Sequence, residues 1–207
     1  MRQFLLLSII VLTSCGTTYK VADIKEQKQD KHDFLNPYFS QTNKEYGYRF
    51  KITFMKKEMK GNFVAKKLGY NSHRVVLTSD FGNTLFDLSV TDHDYKLNYA
   101  MEDLNRKVIV KTLAKDLQAI FKNDFSVNER IKTSNQIILK SKDVSLVFDE
   151  NSPNYYSELI HLHNNKIKTI NQFSVNQSDF PDNILIKHNH FNLRIEFSKV
   201  NLTSEEE

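Results

Sequence analysis

A single cysteine, Cys15, excludes both a disulfide framework and a cysteine-based structural zinc site. With only 5 glycines and 3 prolines, the chain is neither collagen-like nor a Pro/Gly-rich disordered polymer. It also lacks the P-loop, the dinucleotide-binding glycine pattern, G-x-S-x-G and H-E-x-x-H. A dispersed Ser/His/Asp triad is a matter of geometry and does not show in spacing. Charge of one sign is also missing. Lys and Arg number 29 against 25 Asp and Glu, a net +4, so the surface is mixed and no nucleic-acid partner is expected. Against these absences stand 15 Phe and 9 Tyr, ample core for one domain in 207 residues.

The chain opens with a charge ahead of an apolar run, Met1-Arg2-Gln3 and then Phe4-Leu5-Leu6-Leu7-Ser8-Ile9-Ile10-Val11-Leu12. That run is too short for a membrane-spanning helix and has the length of a signal-peptide core. It ends in Leu12-Thr13-Ser14-Cys15, which resembles the bacterial lipobox, in which the cysteine thiol is diacylglycerated and the chain is cut just before it. The alternative is an uncleaved secretory signal with a cysteine near its junction. A lone thiol in an oxidising envelope is a liability, which favours lipidation. Lipid on Cys15 would then be the only non-protein group expected, with no other cofactor. Gly16 follows, with no Asp there. By resemblance to enteric sorting rules this implies the outer membrane, lipid-anchored, with the domain facing the periplasm.

Four regions are expected: a lipoprotein signal over 1–14, a lipidated Cys15 with a flexible tether over 15–45, a β domain over 46–200, and a disordered acidic tail over 201–207. The tether reading rests on the polar run Lys25-Glu26-Gln27-Lys28-Gln29-Asp30-Lys31, interrupted by Phe34-Leu35 and Tyr38-Phe39. From Tyr46 the pattern turns to period two. Tyr48, Phe50, Ile52 and Phe54 alternate with Arg49, Lys51 and Thr53, a half-buried strand. Further alternating segments follow, separated by turns at Leu68–Asn71, Asp80–Asn83 and Asp92–Asp94. Helical spacing of Met101, Leu104, Val108, Leu113, Leu117, Ile120 and Phe121 predicts a helix over about 103–122, capped by Asp103 or Asn105. The fold class expected is mainly β with helix (α+β): a curved antiparallel sheet of roughly ten strands with a helix to cover or plug one side.

The segment Arg74-Val75-Val76-Leu77-Thr78-Ser79-Asp80-Phe81-Gly82-Asn83-Thr84-Leu85-Phe86-Asp87-Leu88 resembles the strand-loop-strand of the LolB family of outer-membrane lipoprotein receptors. Arg74, Leu77, Thr78, Gly82, Thr84 and Leu88 match, and Phe81 stands where that family carries an exposed loop leucine. Pro181-Asp182-Asn183-Ile184 and Phe191-Asn192-Leu193-Arg194-Ile195-Glu196-Phe197 are similar to its last strands. The chain departs from the family in having no Trp and no proline break in the helix.

The resemblance implies an open, LolA/LolB-like half-barrel holding acyl chains of lipoproteins. It would take cargo from a LolA-like periplasmic carrier and release it to outer-membrane lipid without ATP, as a monomer and not as an enzyme. It also implies that Phe81 and Gly82 form the membrane or cargo loop; without it, Phe81 reads as an inward-packed aromatic. The alternative function is a non-enzymatic docking or structural lipoprotein with a packed interior. A periplasmic hydrolase or metal enzyme is a third reading. His161 and His163, with His188 and His190, are two i, i+2 pairs that would bind a metal if their strands were neighbours; solvent-facing positions are the plainer reading. Asp92-His93-Asp94 reads as turn chemistry rather than a catalytic set. Lys56, Lys57, Lys60, Lys66 and Lys67 form a local basic cluster suited to anionic head groups or simply to solvent.

Overall fold

A computed structural model describes residues 19–200. The lipobox, Cys15 and the acidic tail lie outside these residues.

Among the described residues thirteen strands form one antiparallel sheet. In chain order they are β1 (Glu26–Leu35), β2 (Glu45–Phe54), β3 (Lys57–Gly69), β4 (Ser72–Ser79), β5 (Thr84–Thr91), β6 (Tyr95–Ala100), β7 (Asp124–Lys132), β8 (Gln136–Lys140), β9 (Val144–Asp149), β10 (Glu158–His163), β11 (Lys166–Phe173), β12 (Asn183–His188) and β13 (Leu193–Lys199). The spatial order is β1-β7-β8-β9-β10-β11-β12-β13-β2-β3-β4-β5-β6. Two meanders therefore join where β13 pairs with β2, for example Phe197 opposite Phe50. Among the described residues β1 and β6 each have a single partner, so the sheet is open.

One helix, α1 (Lys107–Phe121), links the far strand β6 back to β7. Its Asp116 reaches His188 on β12 at 2.9 Å, and its Gln118 Nε2 donates to the Thr91 carbonyl at the end of β5 at 3.1 Å. β12 and β5 are five steps apart in the order, about 24 Å across a flat sheet. A helix about 10–12 Å wide touches both only if the sheet curls around it.

Period-two alternation explains which face does this. On β2, Tyr46, Tyr48 and Phe50 point inward while Glu45 and Arg49 stay in water. Val75 and Leu77 of β4 and Phe86, Leu88 and Val90 of β5 do the same. With Val110, Leu113, Leu117, Ile120 and Phe121 of α1 they form a single large core. Gly61 of β3 is required by close approach, since a Cβ there would run into the Thr78 carbonyl oxygen. β9 is buried along both faces: Val144, Leu146 and Phe148 enter the main core, while Val147 joins Ile131, Ile138 and Ile160 in a smaller outer one. Tyr19 and Val21 of the N-terminal segment lie over that outer patch.

Several expectations need correction. Residues 26–35, expected as tether, are strand β1, paired with β7 from Glu26 opposite Lys132 to Leu35 opposite Asp124. Beyond it Tyr38 and Phe39 are core residues. Tyr38 stacks on Phe173 at 4.9 Å, and its hydroxyl donates to the Tyr156 carbonyl at 2.7 Å. Asn36 donates to the Ile120 and Lys122 carbonyls, tying this segment to the end of α1. The helix is also shorter than expected. Glu102–Leu104 forms a 3-10 turn, and the backbone leaves helical geometry at Asn105 and Arg106. Arg106 occupies the N-cap position and offers no side-chain capping bond, so neither Asp103 nor Asn105 caps the helix.

If β1 is structural, Phe34, packed edge-on to Phe148 at 5.3 Å, matters to stability. Phe34→Ala is expected to cost about 2–3 kcal/mol in urea unfolding. A tether residue would leave the midpoint unchanged.

Candidate functional site

The β4–β5 turn presents the residue singled out from the sequence. The Gly82 amide donates to the Ser79 carbonyl at 3.0 Å, and the Ser79 amide to the Asn83 carbonyl at 2.8 Å. Gly82 sits at φ +83, a conformation that side chains resist, which fixes glycine at this step of the turn. Phe81 stands at the tip, 93% exposed. Beside it Asp80 is ion-paired with Arg49 of β2. Below the turn Leu77 and Leu88 are wholly buried, and Thr78 faces Thr84 in register. Arg74 forms an exposed bidentate pair with Asp87, at 2.7 and 3.1 Å, which lowers the Asp87 pKa through that hydrogen bond. The hairpin is thus rigid at its base and apolar at its tip.

The inner face is the other element of the site, and its own side chains fill it. Tyr38, Phe39, Tyr46, Tyr48, Phe63, Phe125, Phe148, Tyr156 and Phe197 are all nearly inaccessible to solvent. Clefts of about 340 and 280 Å³ lie instead on the outer face, either side of Tyr19. Three polar side chains interrupt the apolar interior in a row across adjacent strands: His161 (β10), Thr169 (β11) and His188 (β12). Burial raises the Asp116 pKa, while His188, donating through Nε2, works against that rise. Asn171 is buried with both side-chain polar atoms unpartnered, as is Nε2 of His161. On β4, His73 stacks on Phe121 at 4.5 Å and donates from Nε2 to the Phe39 carbonyl. Burial drives its pKa down to about 4.

The metal candidates are not brought together. β11 separates β10 from β12, and a register shift after His161 breaks the alternation that would align it with His163. His163 and His190 are exposed, and no group of three or more potential ligands exists among the described residues. The basic cluster is divided by the length of β3. Lys56, Lys57 and Lys60 are exposed near one end, whereas Lys67 near the other points inward to Asn123 at 2.9 Å, where burial lowers its pKa. Asp92 and Asp94 act as turn ligands: Asp94 bonds Thr91, and Asp92 accepts the Asn123 amide. No helix among the described residues is long and apolar enough to cross a membrane.

Sequence reading missed the Asp116–His188 pair. Its signal was a carboxylate flanked by Leu113 and Leu117 on the apolar stripe of α1.

No family model matches the chain, and no curated protein does. Three solved structures share part of its shape. A LolA superfamily protein from Nitrosomonas europaea has a TM-score of 0.47 at 8% identity, covering 80% of this chain and 87% of that one. A DUF1329 family protein from Desulfovibrio piger has 0.48 at 6%, covering 79% and 86%. A domain from Vibrio parahaemolyticus assigned to outer-membrane lipoprotein sorting has 0.46 at 6%, covering 82% and 90%. At such scores these likenesses carry no argument, and the open sheet stands on its own strand order.

The buried histidines make stability pH-dependent. Between pH 6.5 and about 4 the unfolded chain binds a proton at His73 that the folded protein refuses, so acid favours unfolding across that window. Burial also lowers the His161 pKa to about 4, with the nearby Lys122 charge adding to it. The urea midpoint is expected to fall from pH 6.5 to about 4. His73→Phe should remove a share on the order of 2–3 kcal/mol. An unchanged slope in that variant would contradict the assignment.

Proposed function

We propose that this chain is an outer-membrane lipoprotein, anchored through Cys15, that binds acyl chains of other lipoproteins and helps to localise them. The observation that supports it best is the open sheet whose apolar inner face is closed by one helix. A closed barrel or a two-sheet sandwich has no such removable wall. α1 is held chiefly by packing: its start has no side-chain N-cap and no acidic residue in the first turn, its last turn has no basic residue, and Asn36 alone reaches its final carbonyls from the segment after β1. Its five large buried side chains contribute on the order of 10 kcal/mol. Acyl chains contribute about 0.8 kcal/mol per buried CH2, so one or two of them lying against the same strand residues could replace the helix. The near balance suits a receptor, which must accept cargo without keeping it.

In this reading a LolA-like periplasmic carrier supplies the cargo, outer-membrane lipid receives it, and Phe81 touches the bilayer. A phenyl ring moving from water into lipid gains about 1.5–3 kcal/mol. Covalent lipid on Cys15 is the only non-protein group involved, and no residue is given a catalytic role.

The filled interior favours a second reading, a docking or structural lipoprotein of the same fold whose core never opens. One experiment separates the two. The soluble domain from residue 17 onward is mixed with carrier-bound triacylated lipoprotein, and cargo transfer is measured by pull-down. Acceptance is expected, with Phe81→Glu accepting cargo yet losing at least tenfold in delivery to liposomes. Absence of acceptance from every carrier tried would move the assignment to the docking module.

A further inference from the structure

Every neighbouring pair of strands is antiparallel, so the β2–β3, β4–β5, β10–β11 and β12–β13 connections all leave the sheet on one rim. β6 ends there too: Ala100 faces Phe86, and the Met101 amide donates to the Leu85 carbonyl. The start of α1 therefore belongs to the same rim.

Apolar side chains that a soluble surface would bury stand along this rim. Met55 at the β2–β3 turn is 64% exposed, Phe81 is 93% exposed, and Val108 at the start of α1 is 77% exposed. Phe54 and Phe191 are also exposed, and the Met55 amide bonds the Asn192 carbonyl, so the β2–β3 and β12–β13 tips are joined. Lys56 and Lys57 follow Met55 and have no ion-pair partner among the described residues. Of the nearby acids, Asp80 is paired with Arg49 and Glu58 with Lys51 and Lys60; Glu102 and Asp103 precede Arg106 and Lys107 in the chain without an ion pair among the described residues.

The third observation is independent of these. The Tyr19 amide donates to the Asn165 carbonyl at 3.2 Å, in the β10–β11 turn, so the N-terminal segment meets the domain on the same rim. Three residues separate Cys15 from Tyr19, so the two α-carbons are at most about 14 Å apart.

We propose that this rim, Met55, Phe81, Val108 and Phe191 with Lys56 and Lys57, is a docking face for an anionic bilayer surface, held there by lipid on Cys15. The proposal rests on the lipidation included in the functional reading above, and not on cargo transfer. It replaces a domain swinging on a long tether with one seated on the membrane. Exposed apolar tips and free lysines side by side match an acyl region beneath anionic head groups, as no soluble partner of one sign would require.

The test uses the full-length lipoprotein in vesicles of phosphatidylethanolamine and phosphatidylglycerol. Mass spectrometry of the same sample establishes acylation of Cys15, which leaves the chain without another thiol. Nitroxide labels are placed singly through Met55→Cys, Phe81→Cys, Phe191→Cys and, on the opposite rim, Tyr70→Cys. Oxygen accessibility is expected to be several-fold higher, and accessibility to a polar quencher several-fold lower, at the first three positions than at Tyr70→Cys. Replacing phosphatidylglycerol with phosphatidylcholine should reduce immersion at Met55→Cys. Labels at 55 and 191 as wet as that at 70 would overturn the docking face. So would dipolar broadening at 55, which would mean that a second copy covers the rim. Docking without cargo acceptance would leave this inference standing and remove the transfer reading; cargo acceptance with every rim label in water would do the reverse.

Discussion

An apolar sheet face that cannot close on itself governs this protein. Among the described residues the edges β1 and β6 stay single-partnered, so hydrogen bonding between strands leaves the inner face without a wall. α1 supplies that wall, and the sheet must curl until strands five places apart both reach the helix. The close approach at Gly61 and the aromatic cluster around Tyr38, Tyr156 and Phe173 serve the same packing. The segment after β1 completes it, since Asn36 satisfies carbonyls at the open end of α1 that no later turn of helix could reach.

Polar groups inside this wall give it a seam. Asp116 and His188 join helix to sheet in a place where burial disfavours the charge on Asp116. His73 packs against the C-terminal end of α1, its ring stacked on Phe121 and bonded to the Phe39 carbonyl. An all-apolar interface would be more stable. The unpartnered polar atoms of Asn171 and His161 lie on the inner face, where each buried unpaired group costs on the order of 1–3 kcal/mol. A wall fastened by a few polar contacts and otherwise by dispersion can come away as a unit, as the acyl binding proposed for this face would require.

How much of this was legible in the sequence follows from where side chains alternate. β2, β4 and β5 present one buried and one wet face, so period two finds them, and Gly82 after Asp80-Phe81 marks their hairpin. The helix was legible from its stripe, although its start was not, because Asn105 and Arg106 leave helical geometry for reasons of chain path rather than composition. β1 was hidden because most of Glu26–Leu35 is exposed on both faces. As an edge strand it is held by ladder bonds to β7 and by Phe34, and its Lys, Glu and Gln look like tether. The inward turn of Lys67 and the division of the histidine pairs depend on strand order, which no local pattern carries. Exposure of Phe81 could be anticipated only by analogy, since a phenylalanine in a turn is more often packed.

The account turns on α1 being the removable wall of an otherwise fixed sheet. Amide hydrogen exchange of the full-length protein, with and without a triacylated lipopeptide, measures this directly. The account predicts that amides of 107–121 exchange by an opening well below global unfolding in free energy, and lose further protection when the lipopeptide binds, while β2, β4 and β5 stay protected. Helix protection equal to that of the central strands, unchanged by the lipopeptide, would contradict it and leave a permanently packed domain.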